Sequence, residues 1–143
     1  VSLLVLITAG VWWWRDHRFG PNPALIMVDQ VTIDGFTKLT SGVIFDDPPS
    51  AYATYLGDTT DHILDRLHAP NTRIFPRSDP LRDPPPDSLV IAVGDAPQGC
   101  SLTLERFLPT AAPYARHGVT RAQAANLENG TQTKLQLKIH CPG

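Results

Sequence analysis

Residues 100–108 read C-S-L-T-L-E-R-F-L, and residues 131–141 read T-Q-T-K-L-Q-L-K-I-H-C. Both stretches alternate. In the second, Leu135, Leu137 and Ile139 share one face while Lys134, Gln136, Lys138 and His140 share the other, the two-residue period of a half-buried strand. Cys100 stands just before the first strand and Cys141 just after the second, and they are the only cysteines of the chain. Antiparallel pairing brings both sulfurs to one end of the ladder, within the reach that a disulfide needs. The arrangement predicts a Cys100–Cys141 bridge closing a loop of about 40 residues, worth roughly 4 kcal/mol in the chain-entropy description.

The elements around this pair follow from turn and cap chemistry. Residues 88–93, S-L-V-I-A-V, are almost continuously apolar and end at Gly94-Asp95-Ala96-Pro97, which suits a further strand of the same core sheet. Between the cysteines, Thr120 followed three residues later by Gln123 has the form of a capping box, and Asn129-Gly130 is a helix stop; together they predict a helix over 121–128. Upstream, the Ile-, Met- and Val-rich residues 25–33 lead into Asp34-Gly35, a strong hairpin turn signal, and then residues 36–39. This predicts a first hairpin, with residues 43–45 as a separate short strand after Ser41-Gly42 and a loop over 46–49. Residues 52–56 fit a strand or the approach to a helix.

A helix capped by Thr59 or Thr60 is expected next, with Ile63, Leu64 and Leu67 on one face and a stop at Pro70. A short apolar pair lies within 73–75. Residues 76–87, P-R-S-D-P-L-R-D-P-P-P-D, are expected to be extended, polyproline-like and unable to join a ladder. With 14 prolines among 143 residues, long extended connections are expected rather than a helical bundle.

Residues 1–14, V-S-L-L-V-L-I-T-A-G-V-W-W-W, carry no charge before Arg15. As a helix they reach about 21 Å, short of the roughly 30 Å of a bilayer core, so a membrane span is expected only with further residues upstream or a thinned bilayer. Trp12, Trp13 and Trp14, followed by Arg15 and Arg18, have the form of an aromatic belt meeting water. Tryptophans stand where a signal peptide has its small-residue cleavage site. Gly20, Pro21 and Pro23 are expected to end any helix that leaves the membrane. Two arginines after the span mildly favour a cytoplasmic side, but a disulfide persists in an oxidising compartment, and the bridge decides the expected orientation.

Polar residues offer one cluster with chemical content: Asp58, Asp61, His62, Asp65 and His68. On a continuous helix Asp61, Asp65 and His68 share a face and could converge on a divalent ion; first-turn acids and a last-turn histidine are also what a helix dipole favours. The spacing lacks the H-E-x-x-H pattern of zinc proteases, no G-x-S-x-G turn occurs, and no phosphate-cradling glycine loop precedes a helix. The formal net charge of -2 gives no basic footprint for nucleic acid.

The sequence therefore predicts an α+β chain: a membrane anchor over 1–19, N-terminally truncated, then an extracytoplasmic domain over 20–143 built on a small, mostly antiparallel sheet with one or two short helices and one disulfide. No cofactor is expected, and an enzyme is the less favoured reading. The expected role is that of a single-pass inner-membrane protein with its main domain in the periplasm or outside the cell. It would act as an accessory or structural subunit of an envelope complex, through contacts with other envelope proteins at 76–87 and 109–118. The alternatives are a ligand- or metal-binding or hydrolytic periplasmic domain using the Asp58 to His68 cluster, and an inhibitor or immunity-type protein.

Overall fold

In the computed structural model, residues 20–80, 83, 86–109 and 117–143 are described. The segment expected to be a membrane anchor, with Trp12, Trp13, Trp14, Arg15 and Arg18, lies outside them, as do parts of the two loops expected to make contacts. Among the described residues no helix is long and apolar enough to cross a membrane.

The strands are β1 (Thr32–Ile33), β2 (Phe36–Asp46), β3 (Pro49–Asp58), β4 (Leu67–His68), β5 (Arg73–Pro76), β6 (Ser88–Asp95), β7 (Ser101–Phe107) and β8 (Gln132–His140). The helices are α1 (Pro23–Gln30), the single turn α2 (Ile63–Arg66) and α3 (Arg121–Glu128). Among the described residues, six strands form one antiparallel sheet in the order β2-β3-β8-β7-β6-β5, and β1 pairs with β4 in a separate two-stranded ladder. The class is α+β, as the sequence predicts.

Strand β8 lies between β3 and β7. Leu135, Leu137 and Ile139 are buried on the face that also carries Ala51, Ala53 and Tyr55 of β3 and Leu102 and Leu104 of β7. Helix α1 lies across β3 and β8 on this face. Its Ala24 and Val28, one turn apart, are fully buried, with Val31 following, and the small side chains of Ala51 and Ala53 leave room for the helix to approach. The predicted disulfide is formed between Cys100 and Cys141, both buried. It sits beside the Ser101–His140 pair of β7 and β8, while the Cys141 amide donates to the Pro49 carbonyl at 2.8 Å. One end of three neighbouring strands is thereby fixed. Helix α3 has the predicted bounds, and its capping box is formed in both directions: Gln123 N donates to Thr120 Oγ1 at 3.2 Å and Thr120 N to Gln123 Oε1 at 2.8 Å.

Several expectations are corrected. Residues 25–33 are mostly helix, not the first arm of a hairpin. Asn22 accepts from the amides of Ala24 and Leu25, and Pro23 opens the helix, where its fixed φ and missing donor cost nothing. The turn at Gly35 does exist, with φ at +80°, but β1 pairs with β4 beyond it rather than with β2. Residues 36–46 form one long strand in which Ser41-Gly42 does not break the ladder; register shifts between Lys38 and Thr40 and between Val43 and Phe45 absorb the irregularity.

The long helix expected from Thr59 to Pro70 shrinks to one turn. Thr59 works for the sheet instead, its hydroxyl donating to the Gly130 carbonyl at 2.7 Å and meeting Thr133 Oγ1 at 2.9 Å. Leu67 and His68 are drawn into pairing with Ile33 and Thr32, and an isolated helix of the length left over is marginal in water. Finally, Pro76 does join a ladder, opposite Ala92 on the edge strand β5, a position where a missing donor is tolerated.

Side-chain hydrogen bonds tie α1 to the sheet at both ends, Ser41 Oγ donating to Asp29 Oδ1 at 3.2 Å among them. Asn22 Nδ2 donates to the Phe45 carbonyl at 3.0 Å and to Asp46 Oδ1 at 3.2 Å. At the other end, Lys38 Nζ donates to the carbonyls of Val28 and Asp29 at 3.2 and 3.3 Å, placing a cation where the helix dipole is negative. Beneath α1, the buried Tyr55 hydroxyl donates to the Val31 carbonyl at 3.0 Å. Burial, aided by the nearby Asp29 charge, pushes its pKa up to about 12.

Two outcomes are expected. Replacing both Cys100 and Cys141 by Ser should lower unfolding stability in urea melts by roughly 4 kcal/mol, the value for a loop of this length. The Tyr55 pKa is higher folded than unfolded, so its contribution is intact below about pH 10 and is lost as pH rises from about 10 towards 12. Tyr55→Phe should flatten that alkaline loss and cost about 1 kcal/mol at neutral pH through the unpaired Val31 carbonyl.

Candidate functional site

The face of the sheet opposite α1 carries the other half of each alternation. Glu105 of β7, Gln136 of β8, Thr54 of β3 and Thr40 of β2 stand opposite one another in a row across four strands. Thr103, Lys138, Tyr52 and Gly42 form the neighbouring row in the same register. The Tyr52 ring leans over Gly42: a side chain at position 42 would stand 3.1 Å from the ring. On this face a cavity of about 700 Å³ opens, within the usual range for small-molecule sites.

Lys134 is 3% exposed although it belongs to the polar half of β8. Its ammonium donates to the His117 carbonyl at 2.8 Å and lies 5.4 Å from the centre of the Phe107 ring. Burial lowers its pKa from the ordinary lysine value, because the charged form loses water. Glu105 is held by long contacts, with Ser88 Oγ at 3.4 Å and Lys138 Nζ at 3.5 Å. Thr54 is 6% exposed, and its Oγ1 is buried with no hydrogen-bond partner. Ser50, also on β3 and on the same face, has a second unpartnered buried hydroxyl. Such groups are uncommon in folded proteins, since burying a hydroxyl without a partner costs about 1–3 kcal/mol.

The cluster expected from sequence is dispersed. Asp58 ends β3, His62 precedes α2, Asp65 lies within it and His68 falls in β4. His68 Nε2 is 2.8 Å from Asp34 Oδ2, and His62 Nδ1 is 3.4 Å from Asp65 Oδ2. Asp61 borders a separate space of about 210 Å³ that also meets Arg106 and Ile91. The helix that was to align Asp61, Asp65 and His68 ends at Arg66, so they do not share a helical face. Among the described residues no three His, Cys, Asp or Glu side chains gather as a metal-binding group.

Sequence reasoning passed over the residues that the open face does assemble. The alternation of β8 sets Lys134 and Gln136 on the face opposite Leu135, Leu137 and Ile139 without assigning that face a role, and Thr54 falls in residues 52–56, which from sequence fit a strand or the approach to a helix. The available signal was the alternation within residues 51–55, A-Y-A-T-Y, which sets Tyr52 and Thr54 apart from Ala51, Ala53 and Tyr55. Arg106 was missed as well. Its Nε is buried without a partner, and its side chain borders both the space near Asp61 and another of about 110 Å³ beneath α3.

Thr54→Val keeps the shape of the side chain and removes the unpartnered hydroxyl. It should raise the stability of the ligand-free protein by about 1 kcal/mol, read in urea melts; a loss of stability would mean that the hydroxyl has a structural partner. No protein-family model, curated protein or solved structure matches this chain.

Proposed function

We propose that the protein is a membrane-tethered accessory subunit of an envelope assembly, placed on the oxidising side of the membrane and acting through contact with another protein along β2. The observation that carries this reading is the edge of the sheet. β2 is eleven residues long and terminal in the strand order, and near its end Val43, Ile44 and Phe45 are 41%, 40% and 64% exposed. An edge strand offers unpaired backbone groups to an added strand, and exposed apolar side chains supply area for it to bury. The register shift between Val43 and Phe45 limits indiscriminate pairing, since bulges are one of the devices that blunt an edge.

The tether is supported by the apolar residues 1–14 with their tryptophans and arginines, and the oxidising compartment by the disulfide. Asn22 is hydrogen-bonded to Phe45, so the end of the sheet bearing the exposed patch is also where the chain arrives from residues 1–19. A contact made there would be made close to the bilayer.

A photoreactive benzoylphenylalanine at position 45 of the full chain, irradiated in native membranes, should crosslink to one protein of defined mass. The same probe at position 103 should not. Phe45→Asp should remove that partner from the detergent-purified protein while leaving its melting temperature unchanged. Crosslinks to lipid alone, or none at position 45, would contradict the proposal.

A further inference from the structure

We infer that the strand received along β2 belongs to a protein whose docking segment is apolar in its middle and basic at both ends, its lysines or arginines meeting Asp29 at one end of the patch and Asp46 and Asp47 at the other. The inference rests on the contact proposed above and names the chemistry of the partner that makes it.

Exposed apolar surface is concentrated at this edge. Among the described residues the exposed large apolar side chains are Ile26, Val43, Ile44 and Phe45 here and Phe75 on the opposite edge strand β5. Ile26 stands one turn after Asn22 and shortly before Asp29, on the side of α1 that both of these turn to β2: Asn22 reaches the Phe45 carbonyl, and Asp29 accepts from Ser41 Oγ. α1 therefore runs beside β2 in the opposite direction, and Ile26 extends the patch of Val43, Ile44 and Phe45 onto the helix. Phe75 is placed differently. The guanidinium of Arg73 lies 5.2 Å from the centre of its ring, and Arg77 just beyond β5 pairs with Asp79 at 3.0 Å, so that edge carries cations of its own.

Charge selects the ends of the partner segment. Between Lys38 and Arg66 the chain has no lysine or arginine, and Lys38 itself turns inward, its ammonium donating to the carbonyls of Val28 and Asp29 and lying 5.7 Å from the centre of the Tyr55 ring. Asp29, Asp46 and Asp47 are exposed, and among the described residues no lysine or arginine stands within ion-pairing distance of them. Asp29 accepts from Ser41 and Asp46 from Asn22, which holds each carboxylate in place and leaves it further lone pairs for a cation. Ser41 and Asp46 are about five residues apart, roughly 16 Å along a strand, so the acids frame the apolar stretch between them. An acidic segment would be repelled at both ends. A second copy of this chain would bring the same three acids and a lysine already engaged. A strand with basic ends instead adds opposite charge to backbone pairing and apolar burial.

The probe is benzoylphenylalanine at position 45 of the full chain, irradiated in native membranes, with the crosslinked peptide sequenced by mass spectrometry after proteolysis. The peptide should show alternating apolar side chains over about six residues, with lysine or arginine within about three residues of each end. Combining Asp29→Asn with Asp46→Asn keeps the oxygens that accept from Ser41 and Asn22 and removes the charges. That double variant should crosslink about tenfold less at low ionic strength while melting at the wild-type temperature, and the wild-type yield should fall as sodium chloride is raised to about 0.5 M. The inference is overturned if the crosslinked segment is acidic or uncharged at its ends, if it belongs to a second copy of this chain, or if neither the double variant nor salt changes the yield. In each of these outcomes a crosslink still forms at position 45 and the β2 contact stands; no crosslink there removes the contact and the inference together.

Discussion

The register of β8 between β3 and β7 is the constraint on which the rest of the structure depends. Because side chains alternate with a period of two, a slip of one residue would exchange the faces of a strand. Here it would place Lys134, Gln136 and Lys138 under α1 and expose Leu135, Leu137 and Ile139. Charged and amide groups would then lie beneath the helix while three buried apolar side chains left the core, which makes that alternative costly. The Cys100–Cys141 bridge and the Cys141 to Pro49 hydrogen bond hold β7, β8 and β3 at one end, and Thr59 ties β3 to the segment leading into β8 at the other.

This single register divides the sheet into two faces with different tasks. The face beneath α1 is mostly apolar, with Tyr55 using its hydroxyl to bind the chain just after the helix. The opposite face retains groups that a sheet optimised only for stability would not bury: a lysine at 3% exposure and two hydroxyls without partners. Local departures of this kind from good packing chemistry concentrate where proteins bind other molecules. The β2 edge, with its exposed apolar end, is a third surface, separate in chemistry from both faces.

What could be read from the sequence was what depends on short spacing. The alternation in β7 and β8, the cysteines that bracket them, and the Thr120–Gln123 box with its Asn129-Gly130 stop each contain their whole signal within a few residues. α1 was misread because prolines mark both ends and beginnings of helices; Asn22-Pro23 has the form of a beginning, and Ala24, Val28 and Val31 keep helical spacing. The helix expected after Thr59 failed for a different reason. Its capping residue and its last turn are claimed by partners distant in sequence, Gly130 and Thr133 for Thr59 and the β1 segment for Leu67 and His68. The open-face cavity has no short-range signature, since Glu105, Lys134 and Thr54 become neighbours only through the order β3-β8-β7.

Amide hydrogen exchange of the oxidised protein, resolved by residue, tests the central position of β8 most directly. If β8 is held on both sides, its amides from Thr133 to Ile139 should be among the slowest of the chain, slower than those of β2 and β5 and opening only with global unfolding. Exchange in β8 as fast as in those edge strands would contradict the strand order and, with it, the two-faced sheet on which the account is built.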